Sequence, residues 1–238
     1  IGSSGRLGTL IDAEFKSEPS LDIVARLNRK NLKSISTIFK KQSTTGNPFD
    51  VIIDVSSPTA SKTVLSRLLK TDFQIPYILG CTGWKETQFK VVQEYAKKAP
   101  VIFAPNFSPA VNLLLKMLSD YGPFLKKWGY QPVVSEIHHA QKLDSPSGTA
   151  KAILEHLGNG RTQQKKTSIP VHSTRAGRII GTHTVEFFGA HDLFCFKHEA
   201  FDRVLFAKGA AMAAKWATNP SHTLKKSKVY SMTDVLFG

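Results

Sequence analysis

Cysteine is scarce. The 238 residues hold two, Cys81 and Cys195, far apart and in no CxxC or CxxH pattern. That argues against a disulfide framework, offers no thiolate set for zinc, and suits a reducing compartment. Long apolar runs are missing too. No stretch approaches the roughly 20 residues that span a bilayer, and no signal peptide is visible, so no membrane segment is expected. Repeats and low-complexity segments are absent. Acidic residues are few: 18 Asp and Glu stand against 32 Lys and Arg, a net charge of +14. The cations are dispersed, with only short clusters such as Lys165-Lys166 and Lys225-Lys226-Ser227-Lys228. Nucleic-acid binding calls for clustered cations with exposed aromatics. The dispersion favours a solvated basic surface that attracts small anions, with neither nucleic acid nor membrane as partner.

What is present suffices for a core. Hydrophobic residues make up 41% and charged residues 21%, the balance of one large domain or two modest ones. The chain opens on IGSSGRLG, with glycines at Gly2, Gly5 and Gly8. LGTLIDAEF then reads as a helix and LDIVARL as a strand, with Ile1 expected to end an earlier strand. A glycine turn before a helix lets backbone N–H groups approach a pyrophosphate unhindered by Cβ atoms, although a plain tight turn explains the same residues. An acid that bonds a ribose hydroxyl is expected about 20 residues on. Asn28 stands there, followed by Arg29 and Lys30. Loss of the acid and gain of cations favours a 2′-phosphate and therefore NADPH, with a basic turn as the bland alternative.

FDVIIDVSSP, IPYILGCTGW and VIFAPNFSP are buried strands, and helices follow the first two. That alternation predicts a parallel sheet covered on both faces, with ligands at the strands' carboxyl ends, where GCTG and APNF lie. After Pro109 comes a long amphipathic helix, then the strand VVSEIHH and the helix TAKAILEHL. From Ser168 to about Ala200 the chain is rich in β-branched and aromatic residues, and FAKGAAMAAKWA closes it as a small-residue helix. The expected fold is α/β: a Rossmann-type doubly wound parallel sheet, plus a second α+β substrate domain on an open mixed or antiparallel sheet. The expected boundaries are 1–107 with 205–238 for the dinucleotide-binding domain and 108–204 for the substrate-binding and oligomerisation domain.

The chemistry concentrates in HHAQKLDSPSGTA. His138 and His139 at a strand end point in opposite directions and are poorly placed to share a metal, so no metal is expected. One of them can face a cleft and exchange protons near neutral pH. Lys142 can donate a proton or hold a carboxylate. Ser147, Gly148 and Thr149 at a helix start offer hydroxyls and N–H groups to an anion, while Ser147 also suits a simple N-cap. His172, His183, His191 and His198 read as surface or locally bonded histidines.

EIHHAQKLDSPSGTA resembles the signature of the 4-hydroxy-tetrahydrodipicolinate reductase family, also called dihydrodipicolinate reductase, of lysine and diaminopimelate biosynthesis. GSSGRLG resembles its phosphate turn. LGCTGW and APNFSPAVNLLLKM resemble its later cofactor segments, and STRAGRIIGTHTVEFFG and HEAFDRVLFAKGA its substrate-domain strands and final crossover. The resemblance spans nearly the whole chain. It implies hydride transfer from NADPH, with NADH as an alternative donor, to a small cyclic imine with two carboxylates. It implies that His138 serves proton transfer and Lys142 donates to the ring, and that His139, Ser147, Gly148 and Thr149 bind carboxylate. The nucleotide is then held by Gly2, Ser3, Gly5, Arg6, Leu7 and Gly8, by Asn28 and Arg29, by Gly80, Cys81 and Thr82, by Ala104, Asn106 and Phe107, and by Arg203. A cytoplasmic homotetramer, built through the β-rich domain, is implied as well. Cys81 departs from a usual threonine, Asn28 from the usual acid and Pro109 from a smaller residue, and the segment from Lys30 to Asp50 is short for the family. A related two-domain dehydrogenase with another small carboxylated substrate is the competing reading.

Overall fold

The computed structural model describes residues 1–35, 37–38, 49–158 and 169–238. Lys165-Lys166, Ser168 and most of the segment between Lys30 and Asp50 lie outside the described residues. The chain forms two compact units, Ile1–Ser108 with Val204–Gly238, and Pro109–Arg203.

The first unit holds a parallel sheet. β1 (Ile52–Asp54), β2 (Tyr77–Leu79), β3 (Val101–Phe103) and β8 (Val229–Tyr230) lie side by side in that order. Side chains of a strand alternate between faces. Tyr77, Leu79 and Val101 accordingly enter one core with Val64, Leu65, Leu68 and Val92. These last four come from α2 (Pro58–Leu68) and α3 (Glu86–Ala96). Ile78 and Ile102 enter the other core with Ile11 and Phe15 of α1 (Arg6–Lys16) and the alanines of α6 (Val204–Thr218). Helices on both faces explain why these strands read as unbroken apolar runs. α1 buries Gly8, Ile11 and Phe15, spaced three and four apart on one stripe.

LDIVARL corrects the expectation of a strand. Residues 21–28 form no ladder among the described residues. The segment's partners are Gly2 and Ser3, whose N–H groups both donate to the Leu27 carbonyl, at 2.7 and 3.0 Å. Ile1 continues the sheet by one residue. Its nitrogen donates to Ile53 O at 2.6 Å, and its carbonyl accepts from Val55 N at 3.0 Å. A cavity of about 490 Å³ lies among α1, residues 20–27 and β1, lined by Ile11, Phe15, Leu21, Ile23 and Ile53. The C-terminal β8 and α7 (Met232–Phe237) were not foreseen; a two-residue strand is too short to show alternation.

The second unit is a mixed sheet of β5 (Val171–Arg175), β4 (Gln131–His138), β6 (Gly181–Phe188) and β7 (Leu193–Ala200), in that order. β4 and β5 are parallel, and the other pairs antiparallel. α4 (Pro109–Lys127) and α5 (Gly148–His156) supply Val111, Leu114, Leu118, Ala150 and Ile153 to a core with Val134, Val185 and Phe187. Pro109 is the first residue of α4, where its missing N–H costs nothing. The opposite face, with Phe188 and Leu193, stays exposed.

Candidate functional site

Within the first unit, the glycine turn makes a cradle that side chains would fill. Gly2 has φ +85°, and a Cβ there would lie 2.9 Å from the Val55 carbonyl. A Cβ on Gly8 would sit 2.1 Å from Gly2 O. Gly5 is the N-cap of α1 and gives its first-turn N–H groups no side-chain acceptor. Those groups and the helix dipole are free for an anion such as a pyrophosphate, so the residues fit a dinucleotide. Ser3, Arg6 and Leu7 complete the turn. Its pinning to Leu27 O brings it beside Asn28, Arg29 and Lys30. Asn28 spends its side-chain oxygen on Lys30 N at 2.9 Å, while Arg29 and Lys30 are exposed.

The two further turns follow β2 and β3. Asp54 is fully buried, accepts from Ser56 N at 2.9 Å and from the Tyr77 hydroxyl, and passes its own carbonyl to Gly80 N at 2.8 Å. Cys81 is buried, with Sγ 3.3 Å from Ser61 Oγ, and burial pushes its thiol pKa up. Thr82 is exposed. Ala104 is buried, Asn106 accepts from Ser108 N at 2.9 Å, and the Phe107 ring lies directly over Gly80. Arg203 belongs to the second unit, one residue before α6, whereas the other cofactor candidates belong to the first.

In the second unit, strand register assembles the site. On the helix-covered face, Val171, Val134, Val185 and Phe196 form one rung across the four strands. The next rung is Ser173, Glu136, His183 and His198. Arg175 and His138 pair one step beyond. The face thus changes from apolar to ionisable along a single row, toward the start of α5.

Glu136 is buried and sits at the centre. Its Oε1 accepts from Arg175 at 2.8 Å and from Ser147 N at 3.2 Å. Its Oε2 lies 2.5 Å from His138 Nδ1. Burial alone would raise the Glu136 pKa, but Arg175, Ser173, His138 and the Ser147 N–H hold it at about 2. Burial pushes the His138 pKa down; Glu136 pushes it back up, Lys142 and Arg175 push it down again, and the net shift is downward. The ring is therefore neutral near pH 7. His183 is buried, its Nε2 is 3.4 Å from Ser147 Oγ, and burial with the neighbouring histidines takes its pKa to about 3. The donor atoms of Glu136, His138 and His183 lie within 4.8 Å of one another. Arg175 already pairs with one carboxylate oxygen and His138 faces the other, so both oxygens of Glu136 are engaged within the protein.

Ser147 is the N-cap of α5, its hydroxyl accepting from Ala150 N at 3.1 Å. The N-cap reading of that serine holds. Lys142 Nζ lies 2.7 Å from Asp144, whose carboxylate also takes the Gly148 N–H. A Cβ on Gly148 would meet nothing within 4 Å, and Thr149 is half-buried beside it. His139, half-buried, follows β4, and its carbonyl accepts from Lys142 N at 3.1 Å. Sequence reasoning missed Glu136, Arg175 and His183. Alternation carried the signal: Val134, Glu136 and His138 share a face, as do His183, Val185 and Phe187.

Comparison with known proteins adds family-level findings. Residues 1–107 match a family model described as dihydrodipicolinate reductase, N-terminus, and residues 110–236 one described as dihydrodipicolinate reductase, C-terminus. A 4-hydroxy-tetrahydrodipicolinate reductase of Buchnera aphidicola subsp. Cinara cedri is 33% identical, covering 99% of this chain and 94% of that one. The enzyme of the same name from Aquifex aeolicus is 34% identical over 92% of this chain and 84% of its own. Among solved structures, a dipicolinate-bound dihydrodipicolinate reductase from Paenisporosarcina sp. TG-14 superimposes with TM-score 0.69 at 20% identity, over 98% and 96% of the two chains. A myo-inositol dehydrogenase from Corynebacterium glutamicum shares the fold, with TM-score 0.53 at 12% identity.

Proposed function

The chain belongs to the dihydrodipicolinate reductase family, and from that premise we propose that it reduces 4-hydroxy-tetrahydrodipicolinate to tetrahydrodipicolinate in lysine and diaminopimelate biosynthesis, with NADPH preferred over NADH. The observation that carries the reading is the gathering of His138, Lys142, Ser147 and Gly148 around the end of β4 in a chain that matches the family from end to end. Replacing the ring hydroxyl by hydrogen consumes one hydride and one proton and releases water. The bound nicotinamide supplies the hydride. The protein has to supply the proton and hold two carboxylates.

His138 and Lys142 divide the proton work in this reading, and His139, Ser147, Gly148 and Thr149 hold carboxylate. His138 is neutral in the free site, and the arrival of two carboxylates raises its proton affinity toward the working range. Gly2, Ser3 and Gly5 to Gly8 cradle the pyrophosphate, Gly80 to Thr82 with Ala104, Asn106 and Phe107 hold the nicotinamide, and Arg203 is assigned to the nucleotide by the family resemblance. Asn28, Arg29 and Lys30 favour the 2′-phosphate, since no carboxylate stands there to repel it. The substrate is a small dicarboxylate, with neither nucleic acid nor membrane as partner. No described helix is long and apolar enough to cross a membrane. A cytoplasmic homotetramer completes the proposal, with the exposed Phe188 and Leu193 face covered by other copies.

The test is nucleotide oxidation on freshly generated substrate, with NADPH and NADH run in parallel and light scattering on the same preparation. Rapid substrate-dependent NADPH oxidation by a species of four chains is expected. Tight nucleotide binding without turnover would refute the substrate assignment, equal rates with NADH the cofactor preference, and a monomer the assembly.

A further inference from the structure

The proton-transfer role proposed for His138 leaves one question that the second unit's geometry answers: which ring nitrogen carries the proton. A neutral imidazole has one N–H and one bare nitrogen, and the partner of the buried nitrogen decides between them. His138 Nδ1 points into the protein toward Glu136 Oε2, 2.5 Å away. The two atoms are imperfectly aligned, yet neither has another hydrogen-bond partner among the described residues. Each is the buried group that the other can satisfy.

Glu136 is not free to turn elsewhere. Its other oxygen is held by the Arg175 guanidinium at 2.8 Å and the Ser147 N–H at 3.2 Å. The same guanidinium nitrogen also donates to Asp144 O at 2.6 Å, so Arg175 ties the carboxylate to the loop before α5. The carboxylate is charged near pH 7, its pKa held at about 2, and an anion accepts and does not donate. The Nε2 edge of His138 lies where strand β6 begins. A Cβ built on Gly181 would stand 3.0 Å from Nε2 and 3.3 Å from the neighbouring ring carbon. The glycine keeps that edge open.

We infer that Glu136, anchored by Arg175, is a positioning residue that fixes His138 with its proton on Nδ1, so that Nε2 is the atom that takes up and delivers the proton in the reduction. The inference rests on the reductase reading for its last clause, and for the tautomer on the geometry and charge of Glu136. Uptake at Nε2 makes an imidazolium whose Nδ1–H faces the carboxylate, and delivery to the substrate returns the neutral ring unchanged. Glu136 stays ionised throughout and exchanges no proton.

The isosteric Glu136→Gln reverses the arrangement. Arg175 and the Ser147 N–H claim the amide oxygen, because all are donors, and the amide NH2 then faces Nδ1. That nitrogen must now accept, and the proton moves to Nε2. Nitrogen-15 NMR of histidine-labelled protein reads both states, with His138 identified by its loss in His138→Asn. The wild type should show a protonated Nδ1 and a bare Nε2 near neutral pH, and E136Q the opposite. Steady-state kinetics on E136Q should show kcat lower by on the order of 10²-fold or more, with substrate KM and nucleotide affinity held within about threefold. Glu136→Asp, which keeps the charge, should recover part of kcat. A wild-type ring protonated on Nε2 overturns the inference, as does E136Q with kcat within about threefold of wild type. The wild-type spectrum decides alone if E136Q does not fold. A correct tautomer in a protein that reduces no 4-hydroxy-tetrahydrodipicolinate would leave the positioning role standing and refute the reductase reading instead.

Discussion

Gly209 lies in α6 on the face packed against the segment after β3. A Cβ built there would stand 1.8 Å from the Phe107 carbonyl oxygen and 2.8 Å from its carbon. An unstrained contact needs roughly 3.5 Å, so Gly209→Ala must open the packing by about 1.7 Å. Little around it can yield. Ala104 N is bonded to Leu79 O at 2.9 Å, and Phe107 is buried with its ring against Gly80. Overpacking of this kind costs about 1–3 kcal/mol, and a clash with main chain belongs at the upper end. Alanine returns about 1 kcal/mol through its better helix propensity. A net loss of about 2 kcal/mol remains, which for a chain of this size lowers Tm by about 4–8 °C. The displaced segment carries Asn106 and Phe107, and through Phe107 it touches Gly80, so NADPH binding should weaken several-fold as well. Differential scanning calorimetry and nucleotide titration by fluorescence read the two effects. A variant that melts within about 1 °C of wild type and binds NADPH equally well would refute the reasoning.

Two further outcomes follow. Gly148→Ala should leave Tm unchanged within about 2 °C, because its Cβ meets no atom within 4 Å; its substrate KM should rise several-fold in steady-state assays if that space admits the substrate carboxylate, and an unchanged KM would count against the pocket. Acid should destabilise the fold in two arms. Glu136 shifts from an ordinary 4.5 to about 2, so its contribution is complete above about 4.5 and is lost as pH falls toward 2. His183 shifts from 6.5 to about 3, so the unfolded chain binds its proton first, and stability falls from about pH 6.5 downward. Urea midpoints across pH 7 to 3 should show His183→Gln losing the upper arm, and a wild-type midpoint constant down to pH 3 would contradict both shifts.

The legible parts of the fold were those where one local pattern decides. Apolar runs with Tyr77–Leu79 and Val101–Phe103 at their centres could only be strands buried on both faces. The small-residue helix from Val204 had to be packed closely. LDIVARL carries the same apolar signal but pairs with no strand among the described residues, because a strand is defined by its neighbour and not by its own composition. The site divides the same way. HHAQKLDSPSGTA announces itself because its groups are contiguous. Glu136 stood within the quoted motif and was still passed over, since its value lies in Arg175, 39 residues away. His183 read as locally bonded because nothing near it in sequence is ionisable on the same face. Its neighbours there come from β4 and β7 through register, which single-chain spacing does not display.

Asp144 has a consequence for selectivity. Its carboxylate sits against Lys142 Nζ, which the reductase reading assigns to proton transfer, and against the Gly148 N–H, which that reading assigns to an incoming carboxylate. On that reading the free protein carries a tethered competitor at its anion pocket. A tether this short corresponds to an effective concentration in the millimolar range. Solitary anions at lower concentration lose that contest by mass action. A ligand with two carboxylates gains a second anchor as it evicts the aspartate. On the same reading the pocket discriminates by valence, favouring a dianion over a monoanion of equal shape.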